Sequence, residues 1–109
     1  MHFISGFSLG DIPLELEDKI ALKLDYRRDG ERLPGWEKVG IEFQIDQDVL
    51  KNLENEFRSL GGSPTRELLR LLGTRSRTVA ELVNALRSPN VNYSDVALII
   101  QKYYRDQRH

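Results

Sequence analysis

The residues of this chain that could do chemistry fall into two charged groups. Arg66, Arg70, Arg75 and Arg77 form a basic run, and Glu42, Asp46, Asp48, Glu54 and Glu56 an acidic one. Guanidinium and carboxylate groups gathered into separate clusters suit electrostatic pairing between surfaces, not the making and breaking of bonds. Bond-making groups are sparse. The two histidines, His2 and His109, stand at opposite ends of the sequence, and there is no cysteine. That leaves no histidine–cysteine metal set and no histidine-activated nucleophile. Gly61-Gly62-Ser63 lacks the pattern of a phosphate-cradling loop, and Asp46-Gln47-Asp48 does not continue into a calcium loop. Paired carboxylates are present, but on helices they are ordinarily solvated surface groups. The sequence reads as non-enzymatic, with no catalytic, cofactor-binding or metal-binding residues.

The elements that must hold these charges are short helices. From Gly61 to Leu86 the chain reads GGSPTRELLRLLGTRSRTVAELVNAL. Ser63-Pro64 is an N-cap followed by proline at the first helical position, where its missing N–H costs nothing. Glu67 lies near the positive end of that helix. Leu68, Leu69, Leu71 and Leu72 give it an apolar face, and Gly73 reads as its stop. Thr78 with Glu81 three residues on has the spacing of a capping box. Val79, Leu82, Val83 and Leu86 form the buried stripe of the second helix, and Pro89 bounds its far end.

Upstream, Pro13 opens a first helix with Leu14, Leu16, Ile20 and Leu24 at helical spacing. Tyr26 to Gly35 reads as a charged loop. Trp36 and Val39 begin a short second element, with Val39–Ile45 ambiguous between helix and strand. Trp36 is expected as a buried core anchor, and Gly40 as a place where two helices approach closely. Asp46 caps a third helix whose inner side carries Val49, Leu50, Leu53 and Phe57. After Pro89, Asn92 or Ser94 starts a sixth, with Val96, Ala97, Ile99, Ile100 and Tyr103 on its apolar side. The prediction is an all-α, compact six-helix antiparallel bundle. Residues 1–11 form an extended lead-in whose Phe3, Ile4, Phe7 and Leu9 either pack back or serve a larger protein. Residues 12–105 form the domain, and 106–109 a polar tail.

Length and composition agree. A chain of 109 residues with 39% hydrophobic content favours one domain with a modest core. No apolar run approaches the roughly 18 residues of a membrane span. Met1–Leu9 is short and lacks the basic flank of a signal peptide. The absence of cysteine fits a reducing compartment. The net charge of -1 conceals an asymmetry. Residues 1–60 hold 13 acidic and 8 basic side chains, whereas residues 61–109 hold 4 and 8. Nucleic-acid binding at the basic run is disfavoured by the slightly negative chain and by leucines where base-reading side chains would stand. Membrane binding is disfavoured because the apolar faces are needed for the core.

The order LELEDKIALKLD, PGWEKVG, SPTRELLRLLG, TVAELVNALRS and SDVALIIQKYY resembles the death domain, a six-helix interaction module. It is most similar to the death domains of the Pelle and interleukin-1-receptor-associated kinase group, with the myeloid differentiation adaptor's domain a near relative. Ser63-Pro64-Thr65 with Glu67-Leu68-Leu69 looks like that group's fourth-helix entry. Gly73-Thr74, Thr78-Val79 and Leu82-Val83 continue the likeness, which covers residues 12–104. The resemblance implies a Greek-key order of helices and a cytoplasmic module that assembles signalling complexes, in innate immune receptor signalling, through contacts with other death domains. It implies no cofactor, and partners that include a kinase or adaptor of the same pathway. The acidic and basic runs are then the expected contact patches. The alternative is a helical regulatory domain that binds one non-homologous protein or peptide.

Overall fold

The computed structural model describes residues 6–59 and 61–106, the side chains of 57–59 excepted, and among these it forms six α-helices and one 3-10 turn. The helices are α1 Leu14–Leu24, α2 Gly35–Glu42, α3 Gln47–Ser59, α4 Pro64–Thr74, α5 Val79–Arg87 and α6 Ser94–Asp106. No strand occurs among the described residues; Ser8 and Thr78 form a single antiparallel bridge. Helix α1 packs against α2, α4 and α6, while α2 packs against α3, α4 and α5. Helix α4 also packs against α3, and α5 against α6. The radius of gyration is 13.2 Å, matching the about 13 Å expected of a single domain this long.

Local signals explain most helix ends. Ser63 Oγ accepts the Arg66 N–H at 3.2 Å, with Pro64 opening α4. Thr78 Oγ1 accepts the Glu81 N–H at 3.2 Å, and Glu81 Oε1 accepts the Thr78 N–H at 2.9 Å. That reciprocal pair is the capping box, and it satisfies two backbone donors that α5 would otherwise leave open. Asp46 immediately precedes α3, and its carbonyl accepts the Leu50 N–H at 3.1 Å. Val39–Ile45 is the end of α2 followed by a turn in which Gln44 is left-handed, with φ 62°. The Ile45 N–H returns to the Gly40 carbonyl at 2.9 Å, and Ile45 is buried.

The core joins Leu16, Ile20 and Leu24 of α1 to Trp36, Leu50, Leu68, Leu69, Leu72, Leu82, Leu86 and Ile100, all buried. Trp36 is 0% exposed, and its indole N–H finds no hydrogen-bond partner. Gly40 stands where α2 meets α3: a Cβ there would lie 2.6 Å from Leu50 Cδ2.

Two expectations change, and one open alternative is decided. Leu14, placed by periodicity in the α1 stripe, is 64% exposed. It is the first helical residue, and the buried face is completed instead by Ala21 and by Glu17, a carboxylate only 6% exposed. Gly73 does not stop α4, which runs on through Thr74; the left-handed residue is Ser76, with φ 62°. Gly73 is needed for another reason, since a Cβ there would lie 2.7 Å from the Gly10 backbone. The 3-10 turn Leu9–Asp11 crosses α4 at this point. Leu9 is 1% exposed, its N–H bonds the Arg77 carbonyl at 3.1 Å, and the Phe7 carbonyl accepts the Val79 N–H at 2.9 Å. Of the two alternatives for the lead-in, residues 7–11 thus take the first and pack back, onto the α4–α5 corner. Phe3, Ile4, the Phe57 side chain and residues 107–109 of the tail lie outside the described residues.

The first part of the α1–α2 connection is fastened at two points. Asp25, just past α1, accepts hydrogen bonds at Oδ1 from the Ser63 hydroxyl at 2.9 Å and the Thr65 N–H at 3.0 Å. Arg28 lies over the Tyr93 ring at 3.5 Å from its centroid, and donates to the Asn92 carbonyl and to Asp95 at 2.8 and 2.7 Å.

Candidate interaction surface

The four arginines of the basic run divide by location. Arg66 and Arg70 share one face of α4, four residues apart. Arg66 is half-buried and spans to α1, pairing with Asp18 and reaching Glu17 at 4.0 Å. Arg70 pairs with Glu67 of its own helix. Arg66 is thus a tie between α1 and α4, and it brings a positive charge to the buried Glu17 carboxylate. Arg66, expected in the basic contact patch, is therefore already engaged by acids of a different helix.

Arg75 and Arg77 belong to the α4–α5 corner. Arg75 follows Thr74, and its N–H bonds the Leu71 and Leu72 carbonyls at 3.2 and 3.1 Å. Its side chain is exposed and makes no ion pair among the described residues. Left-handed Ser76 turns the chain, and the Arg77 N–H returns to the Leu72 carbonyl at 3.0 Å. Arg77 Nη1 meets Glu81 Oε2 at 3.0 Å, and its guanidinium lies 5.8 Å from the Phe43 ring centroid. The Thr78 N–H holds the Glu81 carboxyl below its ordinary value, and the Arg77 charge adds to that effect.

The acidic run is not one patch either. Asp46 and Asp48 are exposed and make no ion pair among the described residues. Glu54 and Glu56 are already engaged within the chain. At 3.6 residues per turn these two glutamates point about 160° apart around α3. Glu42 ends α2 and lines a shallow groove of about 300 Å³ with Phe43, Gln44, Arg77, Glu81 and Asn84. An acid of one expected patch and an arginine of the other therefore border the same groove. The sequence could name both charges but not their neighbourhood, which depends on Phe43 reaching the α4–α5 corner.

The resulting surface is a mixed-charge corner. Its sides are the end of α2 with the turn after it, the α4–α5 turn and the outer side of α5. Arg75 in the α4–α5 turn and Asp46 and Asp48 at the start of α3 make no ion pair among the described residues, while the capping box and the hydrogen bonds of Phe7 and Leu9 to Val79 and Arg77 fix the backbone of the turn. Such a surface can form charge-assisted hydrogen bonds with a complementary surface.

Among the described residues no group of three or more His, Asp or Glu side chains is arranged to hold a metal. No described helix is long and apolar enough to cross a membrane. His2 and His109 lie outside the described residues. No family model, curated protein or solved structure matches the chain.

Proposed function

We propose that this chain is a death-domain-like interaction module. It assembles cytoplasmic signalling complexes by contacts between copies of the fold, its own or those of a kinase or adaptor in the same pathway. Six short helices with α1 against α6, α2 against α5 and α3 against α4 support this reading, since these pairings suit a Greek-key bundle. The sequence motifs that resemble the Pelle and interleukin-1-receptor-associated kinase group point the same way.

The observation that carries the reading is the mixed-charge corner. Arg75 has no ion pair among the described residues, and neither do Asp46 and Asp48. Glu42 and Arg77 border one groove, and Arg75 and Asp46 each lie two residues along the chain from its lining, so a second copy can set base against acid. If the two contact surfaces differ, the association is head-to-tail and propagates into a ring or helical assembly.

Charge reversal tests it. The Arg75→Glu/Arg77→Glu chain should sediment as a monomer at concentrations where the unaltered chain associates, with helical content unchanged. Identical sedimentation of the two proteins would contradict the proposal. A fixed one-to-one complex with an unrelated protein as the only association would favour a regulatory domain instead.

A further inference from the structure

Leu22 and Tyr26 are 71% and 68% exposed, and stand one turn apart along the outer side of α1 and its continuation. Single exposed leucines are common, but this one walls two concavities. A groove of about 540 Å³ runs between α1 and α6, lined among others by Leu22, Ile99 and Tyr103. A second hollow of about 340 Å³ lies on the other side of Leu22 and includes Tyr26. Together they give the exposed Leu22–Tyr26 strip depth on both sides, toward α6 in one hollow and toward Ser63 and Arg66 in the other.

The charges around the larger groove are uneven in kind. Lys19, Lys23 and Lys102 line it and make no ion pair among the described residues. The acids of α1 are all committed. Glu15 accepts the Tyr103 hydroxyl at 2.6 Å, and Glu17 and Asp18 face Arg66. Asp106 is the one remaining carboxylate on the lining. Three ammonium groups with no ion pair among the described residues thus rim an apolar floor, in a chain whose net charge is -1.

We propose that the α1–α6 groove docks an acidic amphipathic helix of another protein. Its apolar residues would pack on Leu22 and Ile99, and its Asp or Glu residues would meet Lys19, Lys23 and Lys102. A helix laid in an apolar groove with charged flanks is a recurrent recognition mode. A second copy of the chain does not offer this partner from its own acidic helix, because α3 exposes no large apolar side chain among the described residues. The proposal is independent of the mixed-charge corner.

The probe is a fluorescein-labelled amphipathic peptide of about 20 residues, long enough to form helix. Its leucines recur at three- and four-residue spacing, with glutamates on both flanks. A control peptide carries lysine at every glutamate. Anisotropy should show binding of the acidic peptide by the full chain, weakened by salt, and none of the control. Leu22→Asp should weaken binding by about tenfold or more, as should Lys19→Glu/Lys102→Glu. These side chains are exposed, and circular dichroism verifies the fold. Arg75→Glu/Arg77→Glu should leave peptide binding unchanged. No binding of the acidic peptide, equal binding of the control, or undiminished binding by the Leu22→Asp chain would overturn the proposal. So would a Leu22→Asp chain that loses self-association, or loses binding to phosphatidylserine vesicles, while still taking up the peptide.

Discussion

Asp25 Oδ1 accepts the Ser63 hydroxyl at 2.9 Å, so the end of α1 caps the start of α4. The same oxygen takes the Thr65 N–H at 3.0 Å. Ser63 alone satisfies one open backbone donor of α4, and Asp25 satisfies another and brings a negative charge to the positive helix end. Replacing Asp25 with alanine should cost about 1–2 kcal/mol in urea unfolding. Asp25→Asn keeps the acceptor and should recover most of the loss. Equal losses for the two variants would mean that charge alone matters at this position.

Gly73→Ala separates helix propensity from packing. Alanine in a helix is favoured over glycine by roughly 1 kcal/mol. Here the added Cβ would stand 2.7 Å from the Gly10 backbone, which cannot give without lifting the 3-10 turn off α4. The expected net effect is a loss on the order of 1–3 kcal/mol. Gly40→Ala should cost less, because its Cβ meets the end of the Leu50 side chain, not backbone. Thermal unfolding of both variants decides the order.

Much of this architecture was legible because helix signals are local. Ser63-Pro64 and the Thr78–Glu81 pair fix two helix starts within three residues of sequence. Leu68, Leu69 and Leu72 reveal the inner face of α4 in the same way. What periodicity cannot state is which neighbour an outward residue will find. Arg66 and Arg75 look alike in the sequence. One is neutralised by Asp18 from 48 positions away, and the other has no ion pair among the described residues. Gly73 looked like a stop because the chain that crosses it begins more than 60 residues upstream. Glu42 and Arg77 were assigned to separate patches for the same reason.

Stability should fall at both ends of the pH range, for opposite reasons. Glu81 has a folded-state pKa below its ordinary 4.5, chiefly through the Thr78 N–H. Its contribution is present above that ordinary value and lost as pH falls through the lower folded value. Burial raises Tyr93 and Tyr104 above their ordinary 10.0, and the Glu15 hydrogen bond raises Tyr103. Their contribution is full below pH 10.0 and lost as pH rises through the higher folded values. The urea midpoint followed against pH should decline on both limbs. Glu81→Gln should flatten the acid limb, and Tyr103→Phe should soften the alkaline one.

The central claim is that acid on one copy meets base on the next at the mixed-charge corner. The most direct measurement is the solution mass of two charge-reversed chains, alone and mixed. Arg75→Glu/Arg77→Glu and Asp46→Arg/Asp48→Arg should each sediment as monomers. Mixed in equal amounts, they should form a complex, because each restores the contact that the other lacks. Arg66→Glu serves as the comparison, and should lower stability without restoring assembly to either chain. Persistent self-association of both reversed chains, or a mixture that stays monomeric, would contradict the account.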